Sequence, residues 1–239
     1  MCMLFVKPKN LLLPENYHES LWRKNPHGLS VWNKSSKTLF KTIDKNQAYK
    51  YLIDNAKSEL VVHYRLGTSG KNTIEQLHGF DIVNENYCFF HNGVLNTFFG
   101  NDELSDTQNL VSYFNENNFD LYEIIQYLEK HEKSSRFLIV NKKTNEIHKP
   151  ACAQWNSATM IDEHEVVFSN SYAIDYYLLN NHDNHDNNDD YLFYDSDDYL
   201  HDEYLAELDF LIYNSSDRDL LYFIQCNPEV VLKYLREFK

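Results

Sequence analysis

The sequence predicts an α+β protein whose strands are mainly antiparallel. Short runs such as Leu60-Val61-Val62-His63-Tyr64-Arg65 and Tyr87-Cys88-Phe89-Phe90 have the β-branched and aromatic content of buried strands. Two pairs of runs, 28–32 with 38–42 and 136–140 with 146–148, are joined by short turns and read as hairpins. Between the strands lie segments with helical spacing and capping residues. At 239 residues the chain can bury a full core, and one domain with an appendage is the default.

Taken in order, Cys2-Met3-Leu4-Phe5-Val6 opens a strand over 2–7. Residues 8–27 read as irregular and polar because Pro8, Pro14 and Pro26 punctuate them. The hairpin 28–42 turns at Ser35-Ser36. A helix is expected over 45–57, where Ala48, Leu52 and Ala56 recur at i+4 and Tyr49 and Ile53 widen the face. The strand 60–65 stops at Gly67-Thr68-Ser69-Gly70, a loop whose backbone can approach a ligand. Residues 71–85 read as a long polar connection, and the strand 87–90 runs into His91-Asn92-Gly93. Ser105-Asp106-Thr107-Gln108 has the form of a capping box, so a helix starts there and runs to about Asn117. A second helix covers roughly 120–132, and strands are expected near 158–161 and 165–169.

Composition excludes several classes of function. The net charge is −14, which disfavours sequence-independent nucleic-acid binding and docking on anionic membranes. No apolar run is long enough to span a bilayer, and the N-terminus lacks the features of a secretory signal. Cys2, Cys88, Cys152 and Cys226 are far apart, with no zinc spacing, so we expect free thiols in a cytoplasmic protein. Residues 181–203 are crowded with Asn, Asp and His. His182 and His185 evoke a metal site, but the aspartate spacing fits no calcium loop, and a solvated acidic segment is the reading adopted. Apolar helical segments are expected near 204–214, 217–225 and 228–237.

Four features carry chemistry. Removal of Met1 would give Cys2 both a thiol and a free α-amine, with reference pKa values of about 8.5 and 8. Nucleophile and base then come as one unit. Arg65 follows an apolar strand beside a glycine-rich loop and offers a rigid fork for a carboxylate. The side-chain NH2 of Asn92 and the N–H of Gly93 make a pair of oxyanion donors. Asp106, in the first turn of a helix, suits a substrate ammonium. Each also has a bland reading: Arg65 pairing with a nearby acid, Asn92-Gly93 as a hairpin turn, Asp106 as a helix-end carboxylate.

This order resembles the class II glutamine amidotransferases of the N-terminal nucleophile hydrolase superfamily. The family's processed cysteine matches Cys2, and its His-x-Arg-x-x-Thr-x-Gly signature matches His63 to Gly70. Its His-Asn-Gly matches His91-Asn92-Gly93, and its helix-opening Asp-Thr or Asp-Ser matches Asp106-Thr107. His78-Gly79-Phe80 echoes a His-Pro-Phe-like loop, and Phe168-Ser169-Asn170 resembles the strand that closes the domain. Departures are His27-Gly28-Leu29-Ser30 for the family's Asp-Gly-x-Gly, Leu66 for an aromatic, and Gly79 for proline.

The resemblance covers roughly residues 2–175. It implies a four-layer α-β-β-α sandwich over 1–175, with residues 176–239 as an acidic insert and C-terminal helical extension on the same domain. It also implies release of ammonia from glutamine, or a γ-glutamyl amide, through a γ-glutamyl thioester on Cys2. Asn92 and Gly93 would hold the oxyanion, Arg65 with Thr68 the α-carboxylate, and Asp106 with the Gly93 carbonyl the α-ammonium. No metal or organic cofactor is needed. The chain carries no recognisable synthase domain, so a separate synthase or ligase would take the ammonia, or the enzyme would act as a free-standing amidohydrolase. The contrasting expectation is a catalytically silent binding or scaffold protein of the same fold.

Overall fold

The structure, a computed structural model, describes residues 2–67, 69–95, 103–156 and 158–170. The chain divides into two compact units, Met1–Asn184 and His185–Lys239, and every described residue lies in the first. The acidic segment 181–203, the three expected C-terminal helices, Thr68 and Cys226 lie outside the described residues.

The described residues form an α+β structure with two antiparallel four-stranded sheets, a small hairpin and four helices. The first sheet contains β1 (Met3–Lys7), β2 (Leu29–Asn33), β3 (Thr38–Thr42) and β4 (Leu60–Tyr64), in the order β1-β4-β2-β3. The second contains β5 (Phe80–Ile82), β6 (Tyr87–Asn92), β7 (Arg136–Asn141) and β8 (Ile147–His148), in that order. The hairpin β9 (Ala158–Ile161) and β10 (His164–Val167) continues toward β1 through a bridge between Phe5 and Phe168. The helices are α1 (Glu15–Lys24), α2 (Lys45–Asp54), α3 (Asp106–Glu116) and α4 (Leu121–His131).

Strand alternation sorts the apolar side chains into three cores. Met3 and Phe5 of β1, with Leu60, Val62 and Tyr64 of β4, pack with Tyr17 and Leu21 of α1 and Ala48 and Leu52 of α2. Their neighbours Leu4 and Val61 instead join Trp32, Cys88, Phe90, Leu138 and Val140, so this second core unites the two sheets. Phe89, Phe137 and Ile139 form the third core with Leu110 and Phe114 of α3 and Ile124 and Leu128 of α4. Each large side chain buried this way contributes about 1.5–3 kcal/mol before entropy is counted.

Capping follows the sequence. Ser105 and Gln108 close a reciprocal box on α3, Asp120 and Glu123 do the same on α4, and Asp44 caps α2.

The structure corrects three expectations. Residues 8–27 are not irregular throughout, because they contain α1. Pro14 stands at its N-cap and Pro26 just beyond its end, so the prolines bracket a helix instead of forbidding one. Its inward face is Tyr17, His18, Leu21 and Trp22. The connection 71–85 contains a 3-10 turn over Ile74–Gln76 and strand β5. Asn92-Gly93 is not a hairpin turn: β6 runs through Asn92, which pairs with Arg136, and the next described helix is α3. No helix among the described residues is long and apolar enough to cross a membrane.

Candidate active site

The register of the first sheet brings Cys2 to Arg65. β1 and β4 are antiparallel with Met3 opposite Tyr64, the last pair of the ladder, so Cys2 and Arg65 leave it at the same end. The half-buried Cys2 Sγ accepts from the Leu66 N–H at 3.3 Å and lies 3.4 Å from the Leu66 carbonyl as a donor. Burial pushes the thiol pKa up. The chain-terminal ammonium, the Leu66 hydrogen bond and the Arg65 guanidinium pull it down, and Asp106 raises it. Both charged residues singled out in the sequence therefore act on this sulfur.

Arg65 is 2% exposed. Its fork donates to Asn72 Oδ1 at 2.6 Å, the Ser69 carbonyl at 3.1 Å and Gln76 Oε1 at 3.3 Å. A Cβ on Gly67 would sit 2.5 Å from both Arg65 Nη1 and Asn72 Oδ1, so the glycine makes room for the guanidinium. The same loop docks on α3. Ser69 Oγ accepts from the Asp106 N–H at 3.0 Å and donates to Asp106 Oδ1 at 3.3 Å. The half-buried Asp106 carboxylate also accepts the Thr107 N–H at 2.7 Å.

The second sheet supplies Asn92 and Gly93 from the end of β6. Gly93 has φ +147, and a Cβ there would fall 2.9 Å from Ser135 Cα, so only glycine fits. Beneath this turn the buried His91 ring spans two hydroxyls, with Nδ1 2.9 Å from Thr107 Oγ1 and Nε2 3.1 Å from Ser135 Oγ. Ser135 Oγ donates to the Val94 carbonyl at 3.2 Å, so it accepts from an Nε2–H, while the single Thr107 hydroxyl proton is shared between His91 Nδ1 at 2.9 Å and Asp106 Oδ1 at 3.3 Å. Burial lowers the His91 pKa to about 4, with Asp106 opposing, which keeps the ring neutral. His91 thereby links the start of α3 to the turn after Asn92.

Ser169 and Asn170 join the two sheets. The Asn170 side-chain NH2 donates to the Cys2 carbonyl at 2.6 Å. Ser169 Oγ accepts the Leu4 N–H at 2.9 Å and lies 2.6 Å from the amide of Asn92. Asn92 is fully buried, and among the described residues the other end of its amide has no partner. His27 accepts the Gly67 N–H at 2.7 Å through Nδ1 and so braces the loop beside Leu66.

Cys2, Arg65 and Asp106 are thus tied into one hydrogen-bonded neighbourhood, and Asn92 is linked to it through Ser169-Asn170. Thr68 lies outside the described residues. Sequence reasoning missed Ser69, Ser135 and His27 as parts of this network. For Ser169 and Asn170 the signal was present in Phe168-Ser169-Asn170, but only as a closing strand. Among the described residues no group of three or more His, Cys, Asp or Glu side chains is placed to hold a metal ion. No family model matches the chain, and no curated protein resembles it significantly in sequence.

Proposed function

We propose that the chain is an amidohydrolase of the class II glutamine amidotransferase type, built as a four-layer N-terminal nucleophile domain with Cys2 as nucleophile. The observation that supports this most is the tie between the two ends of the site. One dipeptide, Ser169-Asn170, holds the Cys2 carbonyl and the Asn92 amide, while the Cys2 thiol hydrogen-bonds the backbone of Leu66, the residue next to Arg65. The three cores, helices against sheet, sheet with sheet, and sheet against helices, support the four-layer reading.

After loss of Met1, the Cys2 α-amine accepts the thiol proton and the sulfur attacks the side-chain amide carbon of glutamine or a γ-glutamyl amide. Because burial raises the thiol pKa, an adjacent base is needed at neutral pH. The oxyanion takes hydrogen bonds from Asn92 Nδ2 and the Gly93 N–H, a donor pair of which each member is worth about 10²–10³ in rate. The protonated amine then gives its proton to the leaving nitrogen, and ammonia departs. Water hydrolyses the thioester to glutamate and restores the thiol. Arg65, with Thr68, takes the α-carboxylate, and Asp106 with the Gly93 carbonyl takes the α-ammonium. Ammonia goes to solvent or to a separate synthase or ligase. The mechanism calls on no cofactor.

One observation favours a silent protein of the same fold: the Arg65 fork already donates to its own loop, through Asn72, Ser69 and Gln76. The two readings separate on glutamine turnover by mature protein. Ammonia release that disappears in Cys2→Ala supports the enzyme. Mature protein that lacks Met1 and still releases none supports the silent reading.

A further inference from the structure

We infer that Ser169 is a positioning residue for the Asn92 amide, selecting which end of that amide is presented as an oxyanion donor; this rests on the functional reading above. The two ends of a carboxamide are isosteric, so the hydrogen-bond inventory decides between its two rotations. Ser169 Oγ is fully buried and touches three groups: the Leu4 N–H at 2.9 Å, the Asn92 amide at 2.6 Å and Met3 Sδ at 3.8 Å.

With Nδ2 turned toward Ser169, the hydroxyl accepts two N–H groups and spends its own proton on a thioether, a weak acceptor. Asn92 Oδ1 is then buried with no partner, a state that costs about 1–3 kcal/mol. With the amide rotated, Ser169 accepts from Leu4 and donates to Asn92 Oδ1, and every oxygen is satisfied. Nδ2 then occupies the unpartnered position as a buried donor. A buried NH2 that lacks an acceptor in the protein is what a transient substrate oxygen requires.

Ser169 is itself held in place. Its N–H donates to the Leu4 carbonyl at 2.9 Å, closing a two-way link with the strand that carries Cys2. Its hydroxyl is therefore anchored to β1 and transmits that position to the end of β6. The alternative, a hydroxyl that merely fills space between the sheets, predicts no dependence on its hydrogen-bonding ability.

The test compares wild type with Ser169→Ala, Ser169→Thr and Ser169→Cys. The side-chain NH2 signals of Asn92, assigned by their loss in Asn92→Asp, are followed in protein labelled with 15N-asparagine. They should shift in Ser169→Ala and return toward wild type in Ser169→Thr, which keeps the hydroxyl. In the same series kcat for glutamine should fall about tenfold or more in Ser169→Ala with KM changed less than twofold. Alkylation of Cys2 by iodoacetamide, a displacement that forms no oxyanion, should stay within twofold of wild type. If Ser169→Ala does not fold, the near-isosteric and weakly hydrogen-bonding Ser169→Cys carries the NMR and kcat comparisons.

Unshifted Asn92 signals, or wild-type kcat in the variant, overturn the inference. A parallel loss of turnover and alkylation also overturns it, because that is the mark of a structural role. Shifted signals in a wild type that never hydrolyses glutamine would instead contradict the functional reading and leave the Ser169–Asn92 coupling standing.

Discussion

Arg65 and Gly93 are the residues whose chemistry is most constrained. Arg65 is buried and forked onto Asn72, Ser69 and Gln76, so its removal has two consequences. Arg65→Ala should raise KM for glutamine by at least tenfold through loss of the carboxylate partner, while iodoacetamide still labels Cys2. Unchanged glutamine kinetics would remove the assignment. Arg65→Lys should restore little, because an ammonium cannot reproduce the fork. Gly93→Ala adds a Cβ against Ser135 at a φ of +147. It should cost roughly 1–3 kcal/mol in urea unfolding and, under the proposed mechanism, displace an oxyanion donor and lower kcat about 10²-fold. At this scale the sequence was informative where a residue's type restricts its use, as with Cys2, Arg65, Gly93 and Asp106. It was silent on Ser69, Ser135 and Ser169, because serine is common in loops and at strand ends. What makes these three matter is a distant partner: Asp106, His91 and Asn92 respectively.

Element by element, period and capping residues carried most of the reading. α2, α3 and α4 begin where Asp44, Ser105 and Asp120 stand, since each satisfies an otherwise free N–H of the first turn. α1 escaped notice because its inward face mixes Tyr17, His18, Leu21 and Trp22 with polar neighbours between two prolines. Tertiary burial stabilises it more than propensity does. Leu21→Ala should therefore destabilise the protein by about 2–5 kcal/mol in chemical denaturation, as for a core residue, not a loop residue. β5 was missed because three residues offer too little alternation, and its place is set by pairing with β6. β1, which delivers Cys2, is anchored at its far end by the buried Lys7. The Lys7 ammonium donates to the carbonyls of Pro8, Leu11 and Ala56, each at 2.9 Å. Lys7→Met should strand these acceptors and cost roughly 1–3 kcal/mol, read as a lower urea midpoint. An unchanged midpoint would show that the anchor contributes nothing.

On the scale of the whole molecule, three apolar cores hold the two four-stranded sheets and four helices of the described residues together, and four buried imidazoles, His18, His63, His78 and His91, lie among them. His63 stacks on His78 with centroids 3.9 Å apart, and the His78 and His91 rings are 6.0 Å apart and nearly parallel. Burial first, and then neighbouring positive charge for His63 and His78, lowers the pKa of these rings; His91 falls to about 4. A histidine kept neutral by the fold binds its proton more readily when unfolded. Stability is therefore fully present above about pH 6.5 and is lost as the pH falls toward the folded values. The unfolding free energy should decline between pH 7 and 4 as the unfolded chain binds protons on His63, His78 and His91, and also on His18 and His27, whose folded pKa values are lowered too, and His91→Asn should make that decline shallower. A flat profile would contradict the buried neutral rings. The α+β class was legible because hairpins and helical periods are local. How the strands order into β1-β4-β2-β3, and how β10 reaches β1, was not, because those pairings depend on contacts between distant parts of the chain. The central claim concerns one sulfur and its own amine, and intact-mass analysis after exposure to a glutamine-analogue electrophile tests it most directly. The account predicts protein lacking Met1 and carrying a single adduct on Cys2, absent in Cys2→Ala. Unmodified protein that has lost Met1, or an adduct that persists in Cys2→Ala, would contradict it.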